Sequence, residues 1–124
     1  MRWLNIFLCL LMLLFIVVQY NDPDGTLWMV IYAIPMIWTG IAAFRPLAVA
    51  RKIPSIILVA CILAAVVAMF YYWPKTPGWW KSEVWWEVET AREGMGMMIV
   101  ATVLAVAWFS GFRANKRQTK SAVA

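Results

Sequence analysis

The sequence predicts an all-α membrane protein, a four-transmembrane-helix bundle with a tryptophan-rich interfacial segment before the last helix. Hydrophobic residues make up 65% of the 124 residues and charged residues only 14%, whereas soluble domains are nearer to half apolar and a quarter charged. The apolar residues also fall into four runs, each close to the roughly 20 residues that span a bilayer as a helix. So short a chain cannot bury this much apolar surface in water, so residues 1–124 are predicted to form a single integral membrane domain.

Four apolar runs define the predicted spans, and short polar segments join them. The first run is the shortest and has a basic start, as a signal peptide does. No small-x-small cleavage pattern ends it, so we expect a retained helix. The predicted spans are residues 3–19, 26–44, 53–73 and 94–112, and a basic cytoplasmic tail, 113–124, follows them.

Small and helix-breaking residues add detail to the middle spans. Pro35 lies inside the second span and predicts a kink, because proline has no N–H for the helical ladder. Pro54 lies in the first turn of the third span, where a missing N–H costs little. Small residues let helices approach closely in lipid, and such a packing stripe is predicted on the third span. Its members are Ala60, Ala64 and Ala68.

The distribution of charge predicts the orientation. With four spans, the N-terminus, the second connection and the tail share one side, which holds eight of the eleven basic residues. Positive residues favour the cytoplasm. Both termini of this multi-pass protein are therefore predicted to be cytoplasmic, at the inner membrane if the protein is bacterial. All six acidic residues lie on the opposite, outer side: Asp22, Asp24, Glu83, Glu87, Glu89 and Glu93.

Aromatic residues gather on the same outer side. Six of the nine tryptophans lie near the predicted outer boundary, and four of these are in the connection between the third and fourth spans. Indole rings favour the headgroup level, where the ring is half-buried and its N–H stays wet. This connection is therefore predicted to lie on the membrane surface.

The composition argues against several classes of function. The chain has no histidine, which removes the Ser–His and Cys–His nucleophile pairs and the commonest transition-metal ligand. A net charge of +5 would suggest nucleic acid as the partner of a soluble protein, but here most of it flanks the cytoplasmic side. The expected partners are therefore the lipid bilayer and other membrane proteins or further copies of this chain. We expect no nucleic acid and no cofactor.

The first polar cluster is the NDPD turn before the second span. Asp22 suits a helix N-cap and Pro23 the first helical position, but a cap explains Asp24 less well. If the helix begins at Pro23, then one stripe within about 80° holds most of its polar and special residues, namely Asp24, Trp28, Tyr32, Pro35 and Thr39. This stripe is predicted to face protein more readily than lipid.

The second polar cluster, ETARE, precedes the last span and leaves two interpretations open. Thr90 and Glu93 have the spacing of a capping box, so Thr90 could begin the last helix. Alternatively, a continuous helix runs from the interfacial segment into the membrane. Glu89, Arg92 and Glu93 then lie within about 100° on one face, together with Gly96, and Arg92 could pair with Glu89.

Both clusters are expected on the outer side, at the starts of the second and fourth spans. Carboxylates without histidine or cysteine suit a hard cation such as calcium or magnesium, if they bind an ion. A structural polar lock between the helices is the other interpretation. The candidate residues are Asn21, Asp22, Asp24, Trp28, Tyr32, Glu89, Arg92 and Glu93.

The sequence NDPDGTLWMVIY, followed much later by ETAREGMG, resembles the transmembrane protein 220 family. The family pattern has an Asn-Asp-Pro-Asp turn, a tryptophan and a tyrosine on the next helix, and a glutamate, an Arg-Glu pair and a glycine near the last helix. The matching residues are Asn21, Asp22, Pro23, Asp24, Trp28, Tyr32, Glu89, Arg92, Glu93 and Gly96. Chain length and span number also fit, whereas the tryptophan-rich outer connection departs from the pattern. The resemblance implies a small membrane protein and carries no reaction with it.

The function expected from the sequence is non-enzymatic, that of an accessory, assembly or scaffold protein of a membrane. The sequence contains no nucleophile–base pair, phosphate-binding loop or redox motif. The alternative is an outer-face binding or catalytic pocket for a cation or small polar ligand, since paired carboxylates can perform acid–base chemistry. Its carboxylates would be Asp22, Asp24, Glu89 and Glu93.

Overall fold

The computed structural model describes residues 1–20 and 23–123, without the side chains of residues 85, 122 and 123. Asn21 and Asp22 of the predicted polar cluster lie outside the described residues. Within that part of the chain the structure contains helices and no strand. The helices are α1 (Arg2–Val18), α2 (Gly25–Phe44), α3 (Pro46–Ala50), α4 (Lys52–Tyr71), α5 (Ser82–Glu87) and α6 (Glu89–Val123). The predicted all-α membrane fold is confirmed.

Among the described residues, three helices are long and apolar enough to cross a membrane, namely α2, α4 and α6. The fourth predicted span, α1, is apolar but has only 17 residues, a length of about 26 Å. Its position shows that it runs beside the others. Asn5, near the start of α1, donates a hydrogen bond to Ser110 of α6. Gln19, just after the end of α1, lines a cavity together with Glu93 of α6.

The helices form a bundle with α2 and α6 at its centre. The helix α1 packs mainly on α2, and α4 packs mainly on α6. Successive long helices run in opposite directions, so α1 and α4 end where α2 and α6 begin. We call this the acidic end, because it holds Asp24, Glu89 and Glu93. The opposite end, where Asn5 meets Ser110, is called the basic end.

The buried core follows the central helices. Its fully buried side chains include Met12, Leu58 and Leu104, whereas Leu63 and Val67 of α4 are exposed. Apolar faces of this size are unfavourable in water, and acyl chains are their natural surroundings. The chain is therefore a membrane protein with several candidate spans, and α4 has the most lipid-accessible face of the three long helices.

The predicted alanine stripe on the third span is wrong for two of its three members, while Ala68 is half-buried and packs on the core. Ala60 and Ala64 are exposed, and the buried residues of α4 are Leu58 and Ala65. A four-residue spacing arises easily in an alanine-rich helix, so it does not identify the buried face. The close approaches occur at glycines instead. A Cβ at Gly111 would lie 2.9 Å from Val49 Cγ1.

The last helix is longer than the predicted span. It covers 35 residues, about 52 Å, and includes most of the segment predicted as a basic tail. Residues 113–123 contain no glycine or proline and several good helix formers, so the helix has no reason to end at the lipid boundary. Its basic C-terminal turns extend beyond the roughly 30 Å hydrocarbon core.

Candidate functional site

A small cavity lies at the acidic end, where α1, α2 and α6 meet. It has a volume of about 40 Å³ and is lined by Gln19, Asp24, Trp28, Tyr32, Glu89, Arg92 and Glu93. The structure thus brings together the six predicted candidate residues that it describes. It adds Gln19, which the sequence reasoning treated only as part of a connection.

The start of α2 positions Asp24, Trp28 and Tyr32. The helix begins at Gly25 and not at Pro23, the start assumed for the stripe, and Asp24 occupies the N-cap position. Its carboxylate makes no capping hydrogen bond. Instead, Asp24 Oδ2 accepts a hydrogen bond of 3.2 Å from Trp28 Nε1. The four-residue spacing of these side chains puts them on one helical face, so Asp24 faces the cavity.

The start of α6 supplies the opposite wall. Val88, which separates α5 from α6, has an extended conformation, and the Arg92 N–H donates to its carbonyl at 3.3 Å. The helix therefore begins at Glu89, and the predicted start at Thr90 is wrong. The predicted continuous helix is also wrong, because Val88 interrupts it. Glu89 and Glu93 nevertheless lie one turn apart within α6, as their spacing requires.

Three carboxylates converge across the cavity. One oxygen from each of Asp24, Glu89 and Glu93 lies within 4.8 Å of the others, and the Asp24 and Glu93 carboxyl groups are within hydrogen-bonding range of each other. Two ionised carboxylates this close repel by on the order of 3 kcal/mol near a protein surface, and less where water screens the exposed Glu89. A proton shared between two carboxyl groups, or a bound cation, would relieve this repulsion.

The Tyr32 side chain forms the floor of the cavity. It is only 5% exposed, and its ring packs 5.2 Å from Phe15 and 5.8 Å from Trp28, measured between centroids. Its hydroxyl lies directly against Gly96, where a Cβ would overlap it. Within the part of the chain that the structure describes, no hydrogen bond holds this hydroxyl. Buried phenol groups usually have a polar partner, so the oxygen is available to a ligand in the cavity.

Arg92 lies at the rim and ties the interfacial helix to the last span. Its guanidinium Nη1 donates a hydrogen bond of 2.7 Å to the Trp86 carbonyl, in the last turn of α5. This contact fixes α5 against the start of α6 and keeps a positive charge beside the three carboxylates. The predicted pairing of Arg92 with Glu89 stays a prediction.

The donor set favours a hard cation. Carboxylate oxygens and amide carbonyl oxygens are the usual ligands of calcium and magnesium, while zinc prefers nitrogen and sulfur. The chain has no histidine. A water molecule needs about 10–15 Å³ of such space, so a cavity of about 40 Å³ can hold one ion with one or two waters.

A second, larger cavity lies beside the first. It has a volume of about 410 Å³ and is lined by Tyr71, Tyr72, Trp73, Lys75, Thr76, Pro77, Thr90 and Glu93. It lies beside the point where the segment after α4 packs closely on α6: a Cβ at Gly94 would lie 2.5 Å from both Pro74 Cδ and the Tyr72 carbonyl oxygen. The sequence reasoning missed this cavity. The only signal was the glycine opposite a proline-rich segment.

A comparison with known protein families matches a region of the chain that includes the whole lining of the small cavity. The family model described as "Transmembrane family 220, helix" matches residues 11–109, which extend from the middle of α1 through most of α6. The match includes every residue that lines the two cavities. No solved structure matches the chain. Since the model spans well over half of the sequence, the chain belongs to transmembrane family 220.

Proposed function

We propose that this membrane protein binds a divalent cation, of the calcium or magnesium class, in the small cavity at its acidic end. The observation that carries the proposal is the convergence of three carboxylates on a cavity that is also lined by the buried Tyr32 side chain, whose hydroxyl makes no hydrogen bond to the described residues. The carboxylates alone would be an acidic cluster, common on protein surfaces. The Tyr32 hydroxyl is an independent sign that the cavity holds a ligand that oxygen atoms coordinate, such as a cation.

Each side chain has a distinct part in the proposed site. The indole of Trp28 holds one oxygen of Asp24, which leaves the other carboxylate oxygen for the ion. Glu93 faces Asp24 from α6 and completes a bridge between the two central helices. Glu89 is exposed and closes the outer side, while Tyr32 supplies a neutral oxygen from below. Such a mixture of charged and neutral oxygens is usual for calcium.

An ion in this position would change the contact between α2 and α6 from repulsive to attractive. Arg92 contributes one positive charge beside three carboxylates, so an excess of negative charge between Asp24 and Glu93 opposes the packing of the two helices that form the centre of the bundle. A ligand that binds only the folded state adds its binding free energy to stability. Ion binding of this kind is compatible with the non-enzymatic accessory or assembly role expected from the sequence, because it would fix one arrangement of the bundle.

The proposal is tested by calorimetric titration of the purified full-length protein in detergent, after chelator treatment, with calcium and then magnesium. We expect one ion per chain. Asp24→Asn and Glu93→Gln each remove one ligand charge and should weaken binding by at least the roughly 10–100-fold that loss of a supporting group costs. The control is Glu87→Gln, which changes the same charge at an exposed position on α5 and should bind as the unmodified protein does.

Two results would contradict the proposal. The first is the absence of saturable binding of either ion to the unmodified protein. The second is an equal loss of binding in Glu87→Gln and Glu93→Gln, because it would mean that general surface charge attracts the ion. Helical content measured by circular dichroism distinguishes lost binding from lost folding in each variant.

A further inference from the structure

The larger cavity at the acidic end lies at the end of a membrane-length helix, where lipid headgroups are expected. It is bounded by Tyr71, the last residue of the membrane-length helix α4, and by the aromatic residues that follow it. Tyrosine and tryptophan collect at the membrane–water boundary, where their rings are apolar and their polar atoms stay wet. A ligand in this cavity can therefore have its polar part among protein side chains and its apolar part in the bilayer.

The path for that apolar part is the outer face of α4. Leu63, Val67 and Phe70 are exposed along this helix, and the helix ends at the cavity. The rings of Phe70 and Trp73 stack with centroids 6.1 Å apart, which carries the apolar surface up to the cavity wall. Acyl chains lying along α4 would thus bring their headgroup to the level of the cavity.

The charges in the cavity have opposite sign. Lys75 and Glu93 both line it, together with the hydroxyl-bearing Thr76 and Thr90. An ammonium and hydroxyls suit a phosphate, because they donate hydrogen bonds to its oxygens. A carboxylate suits an ammonium group for the same reason. The volume of about 410 Å³ lies within the 300–1,000 Å³ range of small-ligand pockets.

We propose that this cavity binds the headgroup of a zwitterionic aminophospholipid, with its phosphate at Lys75 and its primary ammonium at Glu93. A primary ammonium fits better than a quaternary one, because only the former can donate hydrogen bonds to the carboxylate. A headgroup without an amine would leave Glu93 facing a phosphate, which is unfavourable. The proposal stands on a different cavity from the cation site and shares only Glu93 with it.

The test is native mass spectrometry of the full-length protein in detergent, titrated with phosphatidylethanolamine, phosphatidylcholine or phosphatidylglycerol of the same acyl chains. We expect phosphatidylethanolamine to bind about tenfold more tightly than phosphatidylglycerol, a difference of about 1.4 kcal/mol. Lys75→Gln should weaken the binding of all three lipids by about tenfold, because each of them carries the phosphate that Lys75 is proposed to hold. Lys81→Gln should leave the three affinities unchanged, because Lys81 is an exposed lysine of the same connection that does not line the cavity. Neither variant alters a proposed cation ligand, so the two proposals can fail separately.

A soluble competitor distinguishes the lipid from its free headgroup. Phosphoethanolamine at the same concentration as the lipid should displace little of it, because the acyl chains along α4 supply much of the affinity. Displacement at equal concentration would overturn the assignment to a membrane lipid. Equal binding of the three lipids, or an unchanged lipid affinity in Lys75→Gln that retains its helical content, would overturn the headgroup assignment.

Discussion

The contact between Gly96 and Tyr32 gives the sharpest prediction about the small cavity. Gly96 lies on α6 one turn below Glu93, and a Cβ at this position would overlap the Tyr32 hydroxyl and lie 3.3 Å from Cζ. Tyr32 cannot easily move aside, because Phe15 and Trp28 pack on its ring. Gly96→Ala should therefore force α2 and α6 apart at the floor of the cavity.

The magnitude follows from two opposing terms. Replacing glycine by alanine inside a helix stabilises it by about 1 kcal/mol, whereas overpacking a rigid contact costs about 1–3 kcal/mol. The overlap here is with a side chain held on both sides, so we take the upper part of that range. We expect Gly96→Ala to lower the free energy of unfolding by about 2 kcal/mol.

Two further variants isolate the cause. Gly40→Ala is the matched control, since the nearest atom to its Cβ would be Cys9 Sγ at 3.7 Å, an ordinary contact. It should be neutral or stabilise by up to about 1 kcal/mol. Tyr32→Phe removes the overlapping hydroxyl, so in that background Gly96→Ala should cost at least about 1 kcal/mol less, the coupling typical of contacting residues.

The assay is equilibrium unfolding in mixed micelles, titrated with a denaturing detergent and followed by circular dichroism. The reasoning is refuted if Gly96→Ala is as stable as Gly40→Ala. It is also refuted if Tyr32→Phe does not reduce the cost, because the strain would then have another origin.

Three further predictions concern the basic end, a helix crossing and pH. Ser110→Ala should cost about 1 kcal/mol in the same unfolding assay, because it removes the hydrogen bond of 2.8 Å that the buried Asn5 Nδ2 donates to Ser110 Oγ, while Asn5 Nδ2 keeps its hydrogen bond to the Met1 carbonyl oxygen. Thr102→Ala, at an exposed hydroxyl, should stay within about 0.5 kcal/mol, and equal costs would contradict the argument. Gly111→Ala should destabilise by about 1 kcal/mol net, because its Cβ would meet Val49 Cγ1 at 2.9 Å; a gain in stability would show that α3 moves freely. Cation affinity, measured by calorimetry, should fall as pH is lowered, because protons compete for the carboxylate ligands, and affinity independent of pH would contradict carboxylate ligation.

The long helices could be predicted because lipid imposes a simple rule. Each span needs about 20 apolar residues, so hydropathy alone located α2 and α4 to within a few residues. Helical spacing then predicted that Asp24, Trp28 and Tyr32 lie on one helical face. Two spans separate the start of the second span from the start of the fourth, so these residues were predicted on the same side of the membrane as Glu93. The meeting of the two clusters therefore depends on topology, which short connections determine.

The details that the sequence did not predict depend on tertiary contacts. Asp24 was assumed to be the second residue of a helix, yet the helix begins after it, and its carboxylate accepts a hydrogen bond from the Trp28 indole and makes no capping bond. The larger cavity lies beside the contact of Pro74 and Tyr72 with Gly94. This contact joins two segments that are about twenty residues apart in the chain. No local pattern encodes such a contact.

The most direct test of the central claim is terbium luminescence, since terbium replaces calcium in oxygen-ligand sites and is excited by a nearby indole. An ion between Asp24 and Glu93 would lie beside Trp28, whose Nε1 bonds to Asp24. Excitation of the tryptophans should then give terbium emission that calcium displaces, that Glu93→Gln abolishes and that Glu87→Gln leaves unchanged. Emission that is absent, or that survives in Glu93→Gln, would contradict a cation site between α2 and α6.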